Sequence, residues 1–287
     1  MEMQDARDRD CYTYETLHYE KGLFDKSVDV TYILTMDHAV DRHVRIREQL
    51  NQHHPTARVV IIYNKGYKKC SKTYKCGEID VSYKDLTHAV MHIFDMSQDK
   101  NRILILEDDF IFNTDVTSRE INDVTDFLVN NDPDVYSLGS LQHFVDPRTI
   151  GKAHVRLYFK GGAHSMIYSR RGRRYLQKEF STCSYQSQDM DLVTAYPCRM
   201  YGYHKNIYAQ TFPRTENRKN WGRGHPVYST FCSLVFIPFL ELFGFDNYND
   251  IHSKYNYYNK CMAVLSIIIV AIVVMLLAKL LLKITLV

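Results

Sequence analysis

The chain has 287 residues, 45% of them hydrophobic and 13% aromatic. That excludes a disordered or fibrous protein and leaves room for a large domain with a substantial core. The net charge of +3 conceals an asymmetry: residues 1–150 hold 18 Lys+Arg and 26 Asp+Glu (net −8), and residues 151–287 hold 18 and 7 (net +11). Such halves suit a cleft that takes a cation on one side and an anion on the other, or are simply two differently solvated faces.

The first fifteen residues, MEMQDARDRDCYTYE, are charged and lack the apolar stretch of a secretory signal. Residues 1–27 read as an extension. Val30–Thr35 (VTYILT) predicts a buried strand, Asp41–Gln52 a helix with Val40, Val44 and Leu50 on one face, and Arg58–Tyr63 (RVVIIY) a second strand. A lysine-rich loop, NKGYKKCSKTYKCG, follows. Lys84–Met96 places Leu86, Val90 and Ile93 at helix spacing. Arg102–Leu106 is a third buried strand. Thr117 and Glu120 form a capping box ahead of another helix. DVYSLG and HVRLYF read as strands, and GGAHSMIYS leads into a helix from Arg170 with Ser169 as its cap. Strands and helices thus alternate from about 30 to 140, the pattern of an α/β fold with a mostly parallel sheet.

Seven cysteines are present without a CxxC pair, so zinc is not expected. Cys70 and Cys76 would close a small loop in an oxidising compartment. The absence of a signal and of any Asn-x-Ser/Thr sequon makes reduced thiols the expected state. From Met262 to Ala278 the chain carries no charge, and Lys279 and Lys283 follow. With those lysines snorkelling, the run meets the ~20 apolar residues a membrane-spanning helix needs. A single-pass C-terminal anchor is expected, inserted after synthesis, with the domain in the cytosol. Upstream, Phe231–Phe245 is aromatic-rich and broken by Pro238 and Glu241. It suits either the membrane surface or ordinary core packing.

The strand Arg102–Leu106 ends in three consecutive acids, Glu107, Asp108 and Asp109. In open α/β sheets ligands bind beyond the carboxyl ends of the strands. Alternation puts Glu107 and Asp109 on one side and Asp108 on the other. Two carboxylates on one side make a hard-oxygen site for Mn2+ or Mg2+; the plain alternative is a strand that ends in solvent. A second acidic pair, Asp189 and Asp191, lies in YQSQDMDLVTAY, where either acid suits a helix cap or a general base. His204 and His225 are lone histidines, for which a structural role is the commoner one. SRRGRR (Ser169–Arg174) suits a solvated helix start or contact with anionic lipid. PRTENRKNWGRG, with Arg214, Arg218, Lys219, Arg223 and Trp221, suits a closing loop or a basic surface loop. With an acidic first half and no recognisable module, nucleic acid is not an expected partner.

Four segments in order resemble glycosyltransferase family 25, the lipooligosaccharide and procollagen galactosyltransferase type, and most of all divergent members of the kind large DNA viruses encode. They are YILTMDHAVDRHVRIREQL, KDLTHAVMHIFDM, ILILEDDFIF, and GGAHSMIYSRRGRRYLQ followed by QDMDL; YAQTFPRTENRKNWG fits the closing segment. The likeness covers residues 28–220. Thr35-Met36-Asp37 stands where the family has Leu-Asp, and Gln188 where it has proline. The resemblance implies a GT-A-like, Rossmann-type fold and inverting transfer from a nucleotide-diphosphate sugar, usually UDP-linked, to a hydroxyl of a glycan or protein. It implies Asp109 and Glu107 as metal ligands. Arg42, His88, Asp108, Gly161, Gly162 and Gln210 would lie near the donor or acceptor, and Asp189 or Asp191 would be the base. The expected organisation is an extension (1–27), a GT-A-like domain (28–228), a juxtamembrane segment (229–260) and a transmembrane helix (261–283). A metal-dependent nuclease or phosphohydrolase, and a non-catalytic membrane-anchored nucleotide-sugar-binding protein, are the alternatives.

Overall fold

In the computed structural model the described residues are 10–184, 190, 198–212, 230 and 232–285. A nine-stranded sheet carries the fold. Its strands are β1 (Tyr12–His18), β2 (Val30–Met36), β3 (Arg58–Asn64), β6 (Arg102–Glu107), β8 (Val135–Ser137), β9 (Leu141–Val145), β10 (His154–Gly161), β11 (Ser165–Ser169) and β12 (Met200–Tyr203), in the order β1-β3-β2-β6-β11-β8-β12-β10-β9. Two small pairs stand apart: β4 (Thr73–Tyr74) with β5 (Gly77–Glu78), and β7 (Phe110–Phe112) with β13 (Tyr208–Gln210). The helices are α1 (Val40–Gln52), α2 (Ser82–Met96), α3 (Ser118–Asn131), α4 (Arg170–Phe180), α5 (Ile237–Leu242) and α6 (Ile251–Thr285).

The expected parallel core exists as β3-β2-β6, and β8-β12 adds a further parallel pair. The sheet as a whole is mixed. β11 is inserted antiparallel between β6 and β8, β10 runs against both its neighbours, and β1 runs against β3. Six of the nine strands therefore run one way and three the other. Residues 12–18, read from the sequence as part of an extension, are the edge strand of this sheet, paired with β3 over seven positions.

Side-chain alternation sorts the core into two layers. Ile103 and Ile105 face one layer with Val90, Ile93 and Phe94 of α2 and Leu176 and Phe180 of α4. Leu104 and Leu106 face the other with Ile46 and Leu50 of α1 and Ile121, Val124 and Leu128 of α3. Covered on both faces, β2 is buried along almost its whole length, which is why it reads as an unbroken apolar run. The expected face of α1 is corrected: Val40 and Val44 are exposed, and Ile46 and Leu50, one turn apart, make the contact.

Local signals held at the helix starts. Thr117 Oγ1 accepts from Glu120 N at 3.3 Å, and the Glu120 carboxylate accepts from Thr117 N at 2.7 Å. Ser169 Oγ accepts from Gly172 N at 3.1 Å. Gly172 is required because a Cβ there would lie 2.0 Å from the Asp134 carbonyl oxygen. The arginine run is not a solvated patch throughout. Arg173 is buried and donates to the carbonyls of Tyr168, Ser97 and Lys100 at 2.9, 3.0 and 2.6 Å, tying α4 to the end of α2.

The cysteines depart from expectation. Cys11 pairs with Cys70 and Cys76 with Cys183. The short 70–76 loop is not closed, because β1 brings Cys11 up to the middle of the lysine-rich loop. Disulfides persist in oxidising compartments, which runs against a reduced, cytosolic domain.

A third cluster, Leu141, Ala209, Phe212, Phe236, Leu240, Phe245, Ile251, Tyr255 and Tyr258, docks α5 and the start of α6 onto the sheet edge. Ile251–Leu282 is long and apolar enough to cross a membrane, and its most apolar 18-residue stretch has a mean hydropathy of 3.2.

Candidate functional site

Three parallel strands finish side by side, with Leu34 opposite Glu107 and Met36 opposite Asn64. A cavity of about 580 Å3 opens beyond these ends. Glu107 is the last residue of β6, and the chain turns at Asp108–Asp109 before β7. That turn ends the alternation expected for the triplet, so all three acids line the one cavity.

Their surroundings differ. Asp108 is buried, accepts from Thr35 Oγ1 at 2.8 Å and closes an ion pair with Arg42. Burial works to lower the Arg42 pKa, and the charges of Asp108, Asp109 and Glu107 outweigh it and raise it. Asp109 is half-buried as a residue, but its Oδ1 faces inward without a hydrogen-bond partner. Burial first, then the neighbouring Asp108 charge, push its carboxyl up to about 7, against the pull of Arg42. Glu107 is half-buried, and its amide donates to the His164 carbonyl at 2.9 Å.

The opposite rim is basic. Lys65, Lys68 and Lys69 line the cavity from the loop after β3. That loop is built on a buried polar knot: Lys72, fully buried, pairs with Asp85 of α2 and donates to Asn64 Oδ1. Asn64 Oδ1 also accepts from Gly66 N at 2.8 Å, and Tyr67 N donates to Asp85 at 3.3 Å. Gly66 has φ +78°, and a Cβ there would meet Met36 Cε at 2.6 Å. Sequence reasoning missed Asn64, Lys72 and Asp85. A polar residue closing β3 was the one visible signal; Lys72 is indistinguishable from its exposed neighbours in a lysine-rich stretch.

Gln210 reaches the site through β13, which pairs antiparallel with β7 so that Gln210 lies opposite Phe110, the residue after Asp109. Its Oε1 is buried without a hydrogen-bond partner, and its residue lines the cavity.

Other expected residues fall elsewhere. His88 is buried behind the cavity wall: α2 turns Asp85, Leu86 and Ala89 to the cavity and His88 toward β1, where its Nδ1 meets Tyr12 Oη at 2.8 Å. Gly161 ends β10, Gly162 follows it, and neither lines the cavity. A Cβ on Gly161 would lie 2.6 Å from His143 Nε2, so packing explains that glycine, and Gly162 has φ +84°. His204 is exposed and its amide donates to Ala153 O. Asp189, Asp191, His225, Trp221 and the basic residues Arg214, Arg218, Lys219 and Arg223 lie outside the described residues.

Among the described residues no group of three or more His, Cys, Asp and Glu side chains is placed to hold a metal ion. A Mg2+-type ion does not need one, since one or two carboxylates complete its shell with substrate phosphates and water. The unpartnered, inward-facing oxygen of Asp109 fits the first of those ligands, with Glu107 beside it on the cavity wall.

No family model and no curated protein matches the chain. Among solved structures it is similar to A197 from STIV, with 13% identity and a TM-score of 0.33 over 65% of this chain and 86% of that one. That match is too loose to carry fold or function from one to the other.

Proposed function

We propose that the chain is a metal-dependent inverting glycosyltransferase of GT-A-like architecture, anchored in a membrane by α6. It moves a sugar from a nucleotide-diphosphate donor, a UDP-sugar by the sequence resemblance, to a hydroxyl. The observation that carries the reading is the opposition across one cavity of the inward-facing Asp109 carboxylate and the rim lysines Lys65, Lys68 and Lys69. A diphosphate is the ligand that needs both a carboxylate-held cation and fixed positive side chains.

Asp109, with Glu107, would hold Mn2+ or Mg2+, which when bound supplies charge neutralisation for the departing diphosphate. Lys65, Lys68 and Lys69 bind the phosphates electrostatically. Asp108 and Arg42 form a locked pair that shapes the floor next to Asp109. Gln210 offers a buried carbonyl oxygen to a donor hydroxyl. Asp189 or Asp191 would take the acceptor proton, and the bond from Cys76 to Cys183 fixes the chain six residues before the first of them.

The nuclease alternative needs two ions and more converging carboxylates, and Asp108 is already committed to Arg42 and Thr35. The test uses the full chain in lipid nanodiscs with UDP-sugars and Mn2+. Metal-dependent stabilisation by UDP together with release of UDP from a sugar donor is the expected result. Stabilisation without turnover across a broad acceptor panel selects the non-catalytic binding protein, and neither response overturns the reading.

A further inference from the structure

The anchor helix buttresses one wall of the cavity from behind. Tyr255 of α6 donates from its hydroxyl to the Gln210 carbonyl at 3.2 Å, and Phe212 packs in the same cluster as Tyr255 and Ile251. Gln210, Thr211 and Phe212 line the cavity. Further along, Asn259 Nδ2 donates to Ser140 O and Asn259 Oδ1 accepts from Gln142 N, at 3.2 and 2.9 Å. Further still, Ser266 is fully buried and its Oγ accepts from Val145 N of β9 at 3.2 Å. The helix is therefore docked along its first four turns, with no slack between domain and anchor.

That docking sets the height of the cavity above a bilayer. Counting about 20 residues back from Leu282, the end of the apolar span, reaches Ala263. The hydrogen bond from the Val145 amide to Ser266 thus lies three residues past that boundary, at a depth where a backbone donor needs a partner from the protein. Tyr255 lies eight residues before Ala263, so the Gln210 wall stands about 12 Å above the hydrocarbon at 1.5 Å per residue, and tilt only lowers it. The headgroup layer is about 5–7 Å thick on each side. Beside the anchor, Leu234 and Leu242 are 72% and 82% exposed, on a segment whose Phe236 and Leu240 are buried in the docking cluster. Exposed aliphatic tips at this level suit insertion among headgroups and upper acyl chains.

We propose that the acceptor is a lipid of the same leaflet, presenting a hydroxyl on its headgroup to the cavity, and that Leu234 and Leu242 seat the domain on the bilayer for that encounter. The inference rests on the glycosyl-transfer reading and specifies its acceptor. In the step, the headgroup oxygen forms a bond to the sugar's anomeric carbon as the bond from that carbon to the diphosphate oxygen breaks. The electron pair leaves with the nucleoside diphosphate, and the hydroxyl proton passes to the base carboxylate.

The test places the full chain in phosphatidylcholine vesicles containing either phosphatidylinositol or glucosylceramide, with Mn2+ and radiolabelled UDP-glucose or UDP-galactose. Soluble myo-inositol and methyl glucoside are offered in parallel, and UDP release is followed throughout. Label in the organic-extractable lipid, at least about tenfold above label on the soluble acceptors at equal bulk concentration, is the expected result. The lipid that takes label distinguishes an inositol from a sugar headgroup. L234E/L242E, whose changes lie on exposed positions, should lose about tenfold of lipid labelling and of the lipid-dependent part of UDP release, with UDP binding, the lipid-independent release and the melting temperature unchanged. UDP release with equal labelling of soluble acceptors, with label in protein, or with an indifferent L234E/L242E overturns the lipid acceptor and leaves the transferase reading standing. No UDP release and no UDP binding removes both.

Discussion

Arg42 of α1 and Asp108 at the end of β6 meet across the mouth of the parallel strands, and Thr35 of β2 completes the contact from below. The pair joins a helix to two strands and sets one of two adjacent carboxylates against a guanidinium. Removing the guanidinium leaves Asp108 buried and unpaired beside Asp109. Arg42→Ala should cost about 2–3 kcal/mol, less than a fully buried pair because Arg42 keeps some solvent contact. That is about 5–10 °C in melting temperature for a domain of this size. R42A/D108N should recover most of the loss, because the coupling and not either side chain alone carries it. Thermal melts of the three proteins measure this, and additive losses would show that the pair is not coupled.

Asp109 separates structure from chemistry. Its inward-facing oxygen has no partner, so the charge helps a ligand and not the fold. Asp109→Asn should leave the metal-free melting temperature unchanged or raised at pH 8, where the wild-type carboxyl is ionised. The same variant should lose the stabilisation given by Mn2+ with UDP, and at least about 100-fold of turnover. A variant that keeps the Mn2+ response would take Asp109 out of the site.

One of the two disulfides lies in the lysine-rich loop that lines the cavity. Cys11–Cys70 spans 59 residues and ties the middle of the lysine-rich loop to the start of β1; Cys76–Cys183 spans 107 and ties the end of that loop to the chain after α4. Loops of that size correspond to about 4–5 kcal/mol of chain entropy each. Reductant should lower the melting temperature by more than 10 °C and weaken UDP binding along with it. Alkylation after denaturation should count four more reactive thiols with prior reduction than without. An equal count in protein drawn from its native membrane would place the domain in a reducing compartment.

Much of the framework was legible because burial leaves a periodic trace. VTYILT, RVVIIY and ILIL are strands covered on both faces, and Thr117-x-x-Glu120 and Ser169 are caps whose chemistry is local. What the sequence hides is whatever depends on distant pairing. The edge strand at Tyr12–His18 has no continuous apolar run, since one face is exposed, and its partner β3 lies some fifty residues away. β11 resembles any short strand, and only its neighbours make it antiparallel. The acid triplet was visible, yet its arrangement depended on where β6 stops: strand alternation would separate Asp108 from its neighbours, and the turn at Asp108–Asp109 sets all three on one cavity. The placement of His88 off the cavity was hidden for a related reason, since helix periodicity alone does not say which face meets β1 and which the cavity.

His53, just after α1, supplies the pH dependence. Its ring stacks on Phe112 at 3.8 Å and lies near Phe110 and Tyr208, with neither nitrogen hydrogen-bonded. Burial, with a smaller push from His54, lowers its pKa from 6.5 to about 4. The folded protein therefore keeps the ring neutral down to about pH 4, while the unfolded chain takes up a proton near pH 6.5. The unfolded state binds more protons between those values, so stability is complete above pH 6.5 and falls as the solution is acidified toward pH 4. The loss is about 3 kcal/mol from this one ring. His53→Phe keeps an aromatic ring against Phe112 and removes the proton site. Urea melts at pH 7.5 and 4.5 should show a smaller pH-dependent loss in the variant than in the wild type, with the variant the more stable of the two at pH 4.5. Equal losses in both would place the titration on other side chains and show that water reaches the His53 ring.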